Sequence, residues 1–291
     1  MQDDSAKVVD QVTGVSLVLI PPQLAVHSAV GCAWCPATQS AFVLFQNYDI
    51  HVWSARGGTV RLASLWKQHR RSKLQTISLM LAATIPEQEC AKLGLELNGT
   101  DFLLVGTVDG DVALLDMQKG AMQVCFCAHK LMAIKKVIAD ETHHRILSVA
   151  DCSAKVWRFE SGIRSFGQVN LSAPGSCACK AGTLFIVGTA CGSVHTIDMI
   201  TGLMLLSLKS SIHSDCVNTL QPSASQQYVI SSSKDGTVKV WSTAGKLKLS
   251  LVNTKKMQCA CFLGNDDILI GSGKQVELIR EPFDISNRCD R

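Results

Sequence analysis

Charge is scarce in this chain and nearly balanced. Lys, Arg, Asp and Glu together make up 18% of the 291 residues, and the formal net charge is +4. Disordered chains combine low hydrophobicity with high charge, so a content of 47% hydrophobic residues argues for a large packed core. So small a net charge supplies no bulk electrostatic reason for a nucleic-acid or membrane partner. Long apolar runs are missing too. A membrane helix needs about 20 such residues, and the longest candidate, residues 12–26, is broken by Pro21 and Pro22. The first ten residues carry Asp3 and Asp4 where a secretory signal would carry positive charge. Thirteen cysteines are present but follow no framework. They read as reduced thiols packed as small hydrophobes in an intracellular protein, cytoplasmic or nuclear. The sequons Asn98-Gly99-Thr100 and Asn170-Leu171-Ser172 are then without meaning.

Catalytic and metal-binding constellations are also lacking. A zinc site needs two cysteine or histidine knuckles brought together, and only Cys32 and Cys35 have knuckle spacing. Cys125/Cys127, Cys177/Cys179 and Cys259/Cys261 are spaced by two, so on a strand both sulfurs face one way and suit packing. Gly271-Ser272-Gly273-Lys274 lacks the opening glycine of a phosphate loop and has Gln275 where a magnesium-binding hydroxyl belongs, so it reads as a hairpin turn. No Gly-x-Ser-x-Gly elbow occurs. None of the eight histidines sits in a His-Glu-x-x-His arrangement, and His143-His144 falls in a polar turn. The expectation is a non-enzyme with neither cofactor nor metal.

What the sequence does have is a repeat. In its clearest copy, residues 217–220 form a short apolar strand, followed by a polar turn through Pro222 and Ser223 and a second strand at residues 228–232. Asp235-Gly236 then suits the positive φ of a tight hairpin. Residues 237–241 alternate as a third strand ending on Trp241, and residues 246–252 make a fourth. The third strand recurs as a turn residue followed six positions later by a large apolar residue: Asn47 and Trp53, Asp109 and Leu115, Asp151 and Trp157, Cys191 and Ile197. A weaker copy runs through Gln275-Val276-Glu277-Leu278. These positions are roughly 40 residues apart, with one gap of roughly 60, which is the period of a four-stranded propeller blade.

Asp235-Gly236-Thr237-Val238-Lys239-Val240-Trp241 resembles the signature of the WD-repeat family, and Ser153-Ala154-Lys155-Val156-Trp157 is a second, partial likeness. The resemblance spans about residues 27–280. No Trp-Asp pair is present, since Ser54, Arg158 and Ser242 follow the three tryptophans; Ala128-His129 and Ile212-His213 stand where the family has Gly-His. The resemblance implies an all-β, single-domain propeller over residues 1–291, built of antiparallel four-stranded blades. Six repeats are recognisable, and seven blades would also suit the length. It further implies that an N-terminal strand, residues 14–20, completes the last blade, and that about residues 66–90 form an insertion. In the family a His, a strand Ser or Thr, the turn Asp and the Trp share a hydrogen-bonded network. Here only His213, Ser231, Asp235 and Trp241 can make the full set, while Asp151, Trp157 and Trp53 supply partial ones.

As function the resemblance implies a protein-interaction scaffold, a subunit or adaptor of a larger complex. Its binding loops are expected at residues 46–49, 107–109, 128–130, 189–191 and 233–235. A second reading rests on Lys67, His69, Arg70, Arg71 and Lys73, where four of seven consecutive residues are basic and none is acidic. Such a loop could grip an acidic or phosphorylated protein segment, an anionic lipid or a nucleic acid. A third rests on Val52-Trp53-Ser54-Ala55-Arg56, which resembles the Trp-Asp-x-Arg box of cullin-ring ubiquitin ligase adaptors with Ser54 in place of Asp.

Overall fold

The computed structural model describes residues 6–9, 16–20, 29–55, 61–67, 73–80, 85–94, 101–160, 162–208, 213–252, 257–263, 266–272 and 275–280. Strands β1 (Ala6–Val9) and β2 (Ser16–Ile20) pair with each other as a two-stranded antiparallel sheet. Six larger antiparallel sheets follow, each with its strands in chain order. The first comprises β3 (Ala29–Cys35), β4 (Ser40–Phe45), β5 (Ile50–Ser54) and β6 (Arg61–Trp66); the second β7 (Leu74–Met80), β8 (Phe102–Thr107), β9 (Asp111–Asp116) and β10 (Met122–Cys127). The third comprises β11 (Lys136–Asp140), β12 (Arg145–Val149), β13 (Ser153–Phe159) and β14 (Ile163–Asn170); the fourth β15 (Gly175–Ala181), β16 (Leu184–Thr189), β17 (Val194–Asp198) and β18 (Met204–Leu208). The fifth comprises β19 (Val217–Pro222), β20 (Tyr228–Ser233), β21 (Thr237–Ser242) and β22 (Leu247–Val252), and the sixth three strands, β23 (Met257–Phe262), β24 (Ile268–Ser272) and β25 (Gln275–Ile279). The one helix among the described residues, α1 (Glu87–Lys92), lies between β7 and β8.

Two expectations are corrected here. Residues 16–20 do not complete the sixth sheet; β2 pairs with β1 in the register Ala6↔Ile20 to Val9↔Ser16. Pairing with a neighbouring segment of the chain closes a far smaller loop than pairing with a strand about 250 residues away, and so loses less chain entropy. The segment at about residues 66–90 is not an insertion throughout, because Leu74–Met80 is the first strand of the second sheet, paired with β8 from Leu74↔Thr107 to Met80↔Phe102. The extra length lies in the β7–β8 connection, where α1 buries Cys90 beside Ile85.

The chain packs as two compact units, Met1–Ala139 and Asp140–Arg291. In the first unit Phe42, Leu44, Ile50 and Val52 of the first sheet pack against Leu74, Ile77, Leu103 and Val105 of the second. In the second unit Cys177, Cys179, Ile186 and Val194 of the fourth sheet meet Val217, Leu220, Val229 and Trp241 of the fifth. The opposite face of the fifth sheet turns Ile230, Val238 and Val240 toward Ala260, Phe262, Ile268 and Ile270 of the sixth. A sheet buried on both faces needs apolar residues at successive positions. All six residues of β8 are accordingly buried, which accounts for the high hydrophobic content.

A bulge recurs at the same place in five sheets. The ladder between third and fourth strands shifts register at Val52/Trp53, Leu114/Leu115, Val156/Trp157, Thr196/Ile197 and Val240/Trp241. The extra residue bends the fourth strand and strengthens the sheet twist beside the large apolar side chain. The hairpin between second and third strands is also repeated. Gly110 (φ +96°) and Gly192 (φ +84°) sit in these turns, where a Cβ would come within 1.6 Å of the His129 carbonyl oxygen and 2.1 Å of the His213 carbonyl oxygen. Only glycine provides both the positive φ and that close approach.

Candidate functional site

The fifth sheet brings His213, Ser231, Asp235 and Trp241 together, with Thr237 completing the chain of contacts. Trp241 Nε1–H donates to Ser231 Oγ at 3.1 Å, and Ser231 Oγ lies 2.8 Å from His213 Nε2. His213 Nδ1 is 2.8 Å from Thr237 Oγ1, whose hydroxyl donates to Asp235 Oδ1 at 2.7 Å. A neutral His213 protonated on Nδ1 satisfies every member in one direction, from Trp241 through Ser231, His213 and Thr237 to Asp235. Asp235 also accepts the backbone N–H of Thr237 at 2.9 Å and of Ser214 at 2.8 Å, so the carboxylate ties the β20–β21 turn to the segment entering β19.

Electrostatics agree with that proton assignment. Burial pushes His213 down to about 4, outweighing the attraction of Asp235 Oδ2 at 3.3 Å. Burial alone would raise Asp235, but hydrogen bonds from Thr237 and Ser214 outweigh it and hold the carboxyl at about 2. At neutral pH the network holds one carboxylate and a neutral imidazole. Its groups are mutually satisfied and the Trp241 ring is buried, so the arrangement locks a hairpin to its neighbouring segment.

The other two tryptophans carry less of this network. Trp157 Nε1 donates to Ser148 Oγ at 2.8 Å. Trp53 is buried, and among the described residues its Nε1 has no hydrogen-bond partner. The difference follows from register. Ser231 and Ser148 each lie two residues beyond the residue paired with the tryptophan, Val229 and Ile146 respectively. Ala41 pairs with Trp53, which puts Val43 in that position. Where the third-strand residue is aliphatic, as at Leu115 and Ile197, the same position holds Val105 and Val187. Asp151 is half-buried in the β12–β13 turn, and its backbone carbonyl accepts the N–H of Gly175 at 2.7 Å. Lys155 and Lys239 place their ammonium groups 5.8 Å and 5.9 Å from the rings of Trp157 and Trp241.

Sequence reasoning missed a buried ionic cluster. Asp140, at the end of β11, is wholly buried and pairs with Lys180 and with His143 Nδ1 at 2.7 Å. Burial alone would raise the Asp140 carboxyl, but the bonds from Lys180 and His143 hold it below its ordinary value. The available signal was the pair Asp140 and His143, three residues apart across a polar turn. Nothing in sequence spacing marks Lys180, which comes from a different sheet.

The remaining predicted positions are spread out. Lys67 and Lys73 are exposed at the two ends of the β6–β7 connection, and His69, Arg70 and Arg71 lie outside the described residues. In the Val52-Trp53-Ser54-Ala55 run both Val52 and Trp53 are core residues, and Arg56 lies outside the described residues. Cys32 is exposed whereas Cys35 is in the core, so the one knuckle-spaced pair splits across β3. Among the described residues no helix is long and apolar enough to cross a membrane.

Six antiparallel sheets of consecutive strands, five four-stranded and one three-stranded, define a β-propeller of six blades. No family model matches the chain, and no curated protein matches it.

Proposed function

We propose that this propeller is a non-catalytic protein-interaction scaffold, a divergent WD-repeat protein serving as a subunit or adaptor of a larger intracellular complex. The observation that carries this reading is an exposed apolar run at the edge of the fourth blade. Ile200, Leu203, Met204 and Leu205 are 54%, 65%, 38% and 59% exposed, around the turn into β18 and along its start. Single exposed apolar residues are commonplace, but several contiguous ones mark surfaces that another protein covers. They lie on a turn pinned from within: Asp198 Oδ1 accepts the N–H groups of Ile200 and Thr201, both at 2.7 Å. A preorganised turn loses little entropy when a partner docks.

The test is affinity purification of the tagged chain beside Leu203→Glu/Leu205→Glu and Arg70→Glu/Arg71→Glu, with co-purifying proteins identified by mass spectrometry. The scaffold reading expects a reproducible protein set that the leucine variant loses and the arginine variant keeps. Loss only in the arginine variant moves the site to the basic segment between Lys67 and Lys73. Absence of any reproducible protein set removes the scaffold reading.

A further inference from the structure

Five chemically active side chains converge at the β16–β17 turn, apart from the network of the fifth blade. Cys191 is exposed, and its Sγ lies 3.3 Å from Thr189 Oγ1, 3.3 Å from Ser193 Oγ and 3.5 Å from Ser172 Oγ. Ser172 Oγ is in turn 3.2 Å from Nε2 of His195, a histidine only 1% exposed. The turn is closed on itself: Thr189 Oγ1 donates to the Ser193 carbonyl at 3.0 Å and accepts the Ser193 N–H at 3.1 Å. Gly192, pressed against the His213 carbonyl, fixes the turn from outside. Cys191 and Ser193 are thereby held with their side chains against Thr189, while Ser172 reaches them from the segment after β14.

Two of the three hydroxyls around the sulfur have a proton free to donate to it. Thr189 has one hydroxyl proton, shared between the Ser193 carbonyl and Sγ, so Ser193 and Ser172 are the main donors to sulfur. If His195 Nε2 carries a proton, Ser172 Oγ accepts that hydrogen bond and turns its own hydroxyl toward Sγ, so both hydrogen bonds run toward the exposed sulfur. Among the described residues no other exposed cysteine has a hydroxyl within hydrogen-bonding distance of its sulfur. Burial alone would raise the Cys191 thiol, but the hydrogen bonds from Ser172, Ser193 and Thr189 bring it down to about 6. Burial raises Cys125, Cys179 and Cys261.

We propose that Cys191 and its hydroxyl cluster form a peroxide-reactive modification site, at which the sulfur is oxidised to a sulfenic acid. The thiolate attacks one oxygen of hydrogen peroxide. The S–O bond forms as the O–O bond breaks, sulfur loses two electrons to the peroxide, and the other oxygen departs as hydroxide. That hydroxide takes from solvent the proton the thiol released on ionising, while Ser172 Oγ–H, beside the sulfur, is placed to hydrogen-bond the departing oxygen, so the products are the sulfenic acid and water. The thiolate, not the thiol, is the nucleophile in such chemistry. Lower basicity also weakens each thiolate. At pH 7 the two effects leave Cys191 only a few-fold faster than an ordinary exposed thiol, and at pH 6 roughly tenfold faster.

The experiment is pulsed alkylation of the intact chain with iodoacetamide from pH 5 to pH 9, read peptide by peptide by mass spectrometry. A parallel series treats the chain with hydrogen peroxide and traps sulfenic acid with dimedone. Expected is half-maximal alkylation of Cys191 near pH 6, with Cys152, another exposed turn cysteine, as the internal comparison. Dimedone should label Cys191 ahead of Cys152. Ser172→Ala, an exposed change that leaves the core intact, should move the Cys191 midpoint upward and slow sulfenic acid formation. Coincident profiles for Cys191 and Cys152 would overturn the proposal. So would a Cys191 profile unchanged in Ser172→Ala, or peroxide labelling no faster at Cys191 than at Cys152.

Discussion

Val43 occupies, beside Trp53, the register position that Ser148 and Ser231 occupy beside Trp157 and Trp241. One blade therefore has the indole of the network without its acceptor. A buried donor left without a partner costs about 1–3 kcal/mol, so the mismatch leaves stability to be gained at one known place.

Val43→Ser should be unusually mild. Replacing a buried valine by serine forfeits apolar burial at any of these positions, but only beside Trp53 does the new hydroxyl meet a waiting donor. Val187→Ser, at the same register position beside Ile197, is the control. Urea unfolding should find Val43→Ser less destabilising than Val187→Ser by about 1 kcal/mol; equal losses would mean the indole N–H is not reached.

Ser231→Ala strips partners from two buried groups at once, Trp241 Nε1 and His213 Nε2. A loss of about 3 kcal/mol follows from two unsatisfied polar atoms. Loss of less than about 1 kcal/mol in thermal or urea unfolding would show that the network relaxes around the gap.

Acid should weaken the protein through His213. Its pKa is about 4 in the folded chain and about 6.5 when unfolded. As pH falls below 6.5 the unfolded chain takes up the proton first, so stability present above pH 6.5 is lost between 6.5 and 4, by at most about 3 kcal/mol. Asp235, held at about 2, adds a further loss as pH falls through the ordinary aspartate range toward 2. Burial lowers His51 as well, so its share falls with the same sign as pH drops. The readout is therefore the difference between wild type and His213→Gln, whose stability curve should be flatter from pH 6.5 to 4. Parallel curves would contradict the buried neutral imidazole.

Lys180→Met leaves the wholly buried Asp140 with only His143. Removing one partner of a buried ion pair costs about 3–5 kcal/mol, because the other charge stays desolvated. The double variant Lys180→Met/Asp140→Asn should recover part of this loss in urea unfolding. No recovery would show that Lys180 stabilises through its packing alone.

Much of the architecture was legible from two local patterns. The turn residue six positions before a large apolar residue placed Trp53, Leu115, Trp157, Ile197 and Trp241 on third strands, a weaker copy placed Leu278, and all six lie there. The fifth blade could be read strand by strand, since Asp235-Gly236 marks its hairpin and the alternation up to Trp241 sets its face. The five residues of its network are nearly all encoded in that hairpin. Thr237 was overlooked because a threonine opening a strand looks like ordinary β propensity. Ser148 was detectable in principle, lying nine residues before Trp157 as Ser231 lies ten before Trp241. The bulges were not: a one-residue shift in a ladder leaves no mark in composition or periodicity.

The sequence by itself determined the all-β class, the blade-length period and the position of the blade-five network, because these depend on alternation, turn chemistry and spacing within a single hairpin. Only the tertiary structure decided that Ser16–Ile20 pairs with Ala6–Val9, that Leu74–Met80 opens a blade, that Lys180 answers Asp140, and that Ser172 meets Cys191. The last two of these join side chains from segments whose separation along the chain carries no signal. Their meeting is settled by which strand edges pair and which buried charges must be answered.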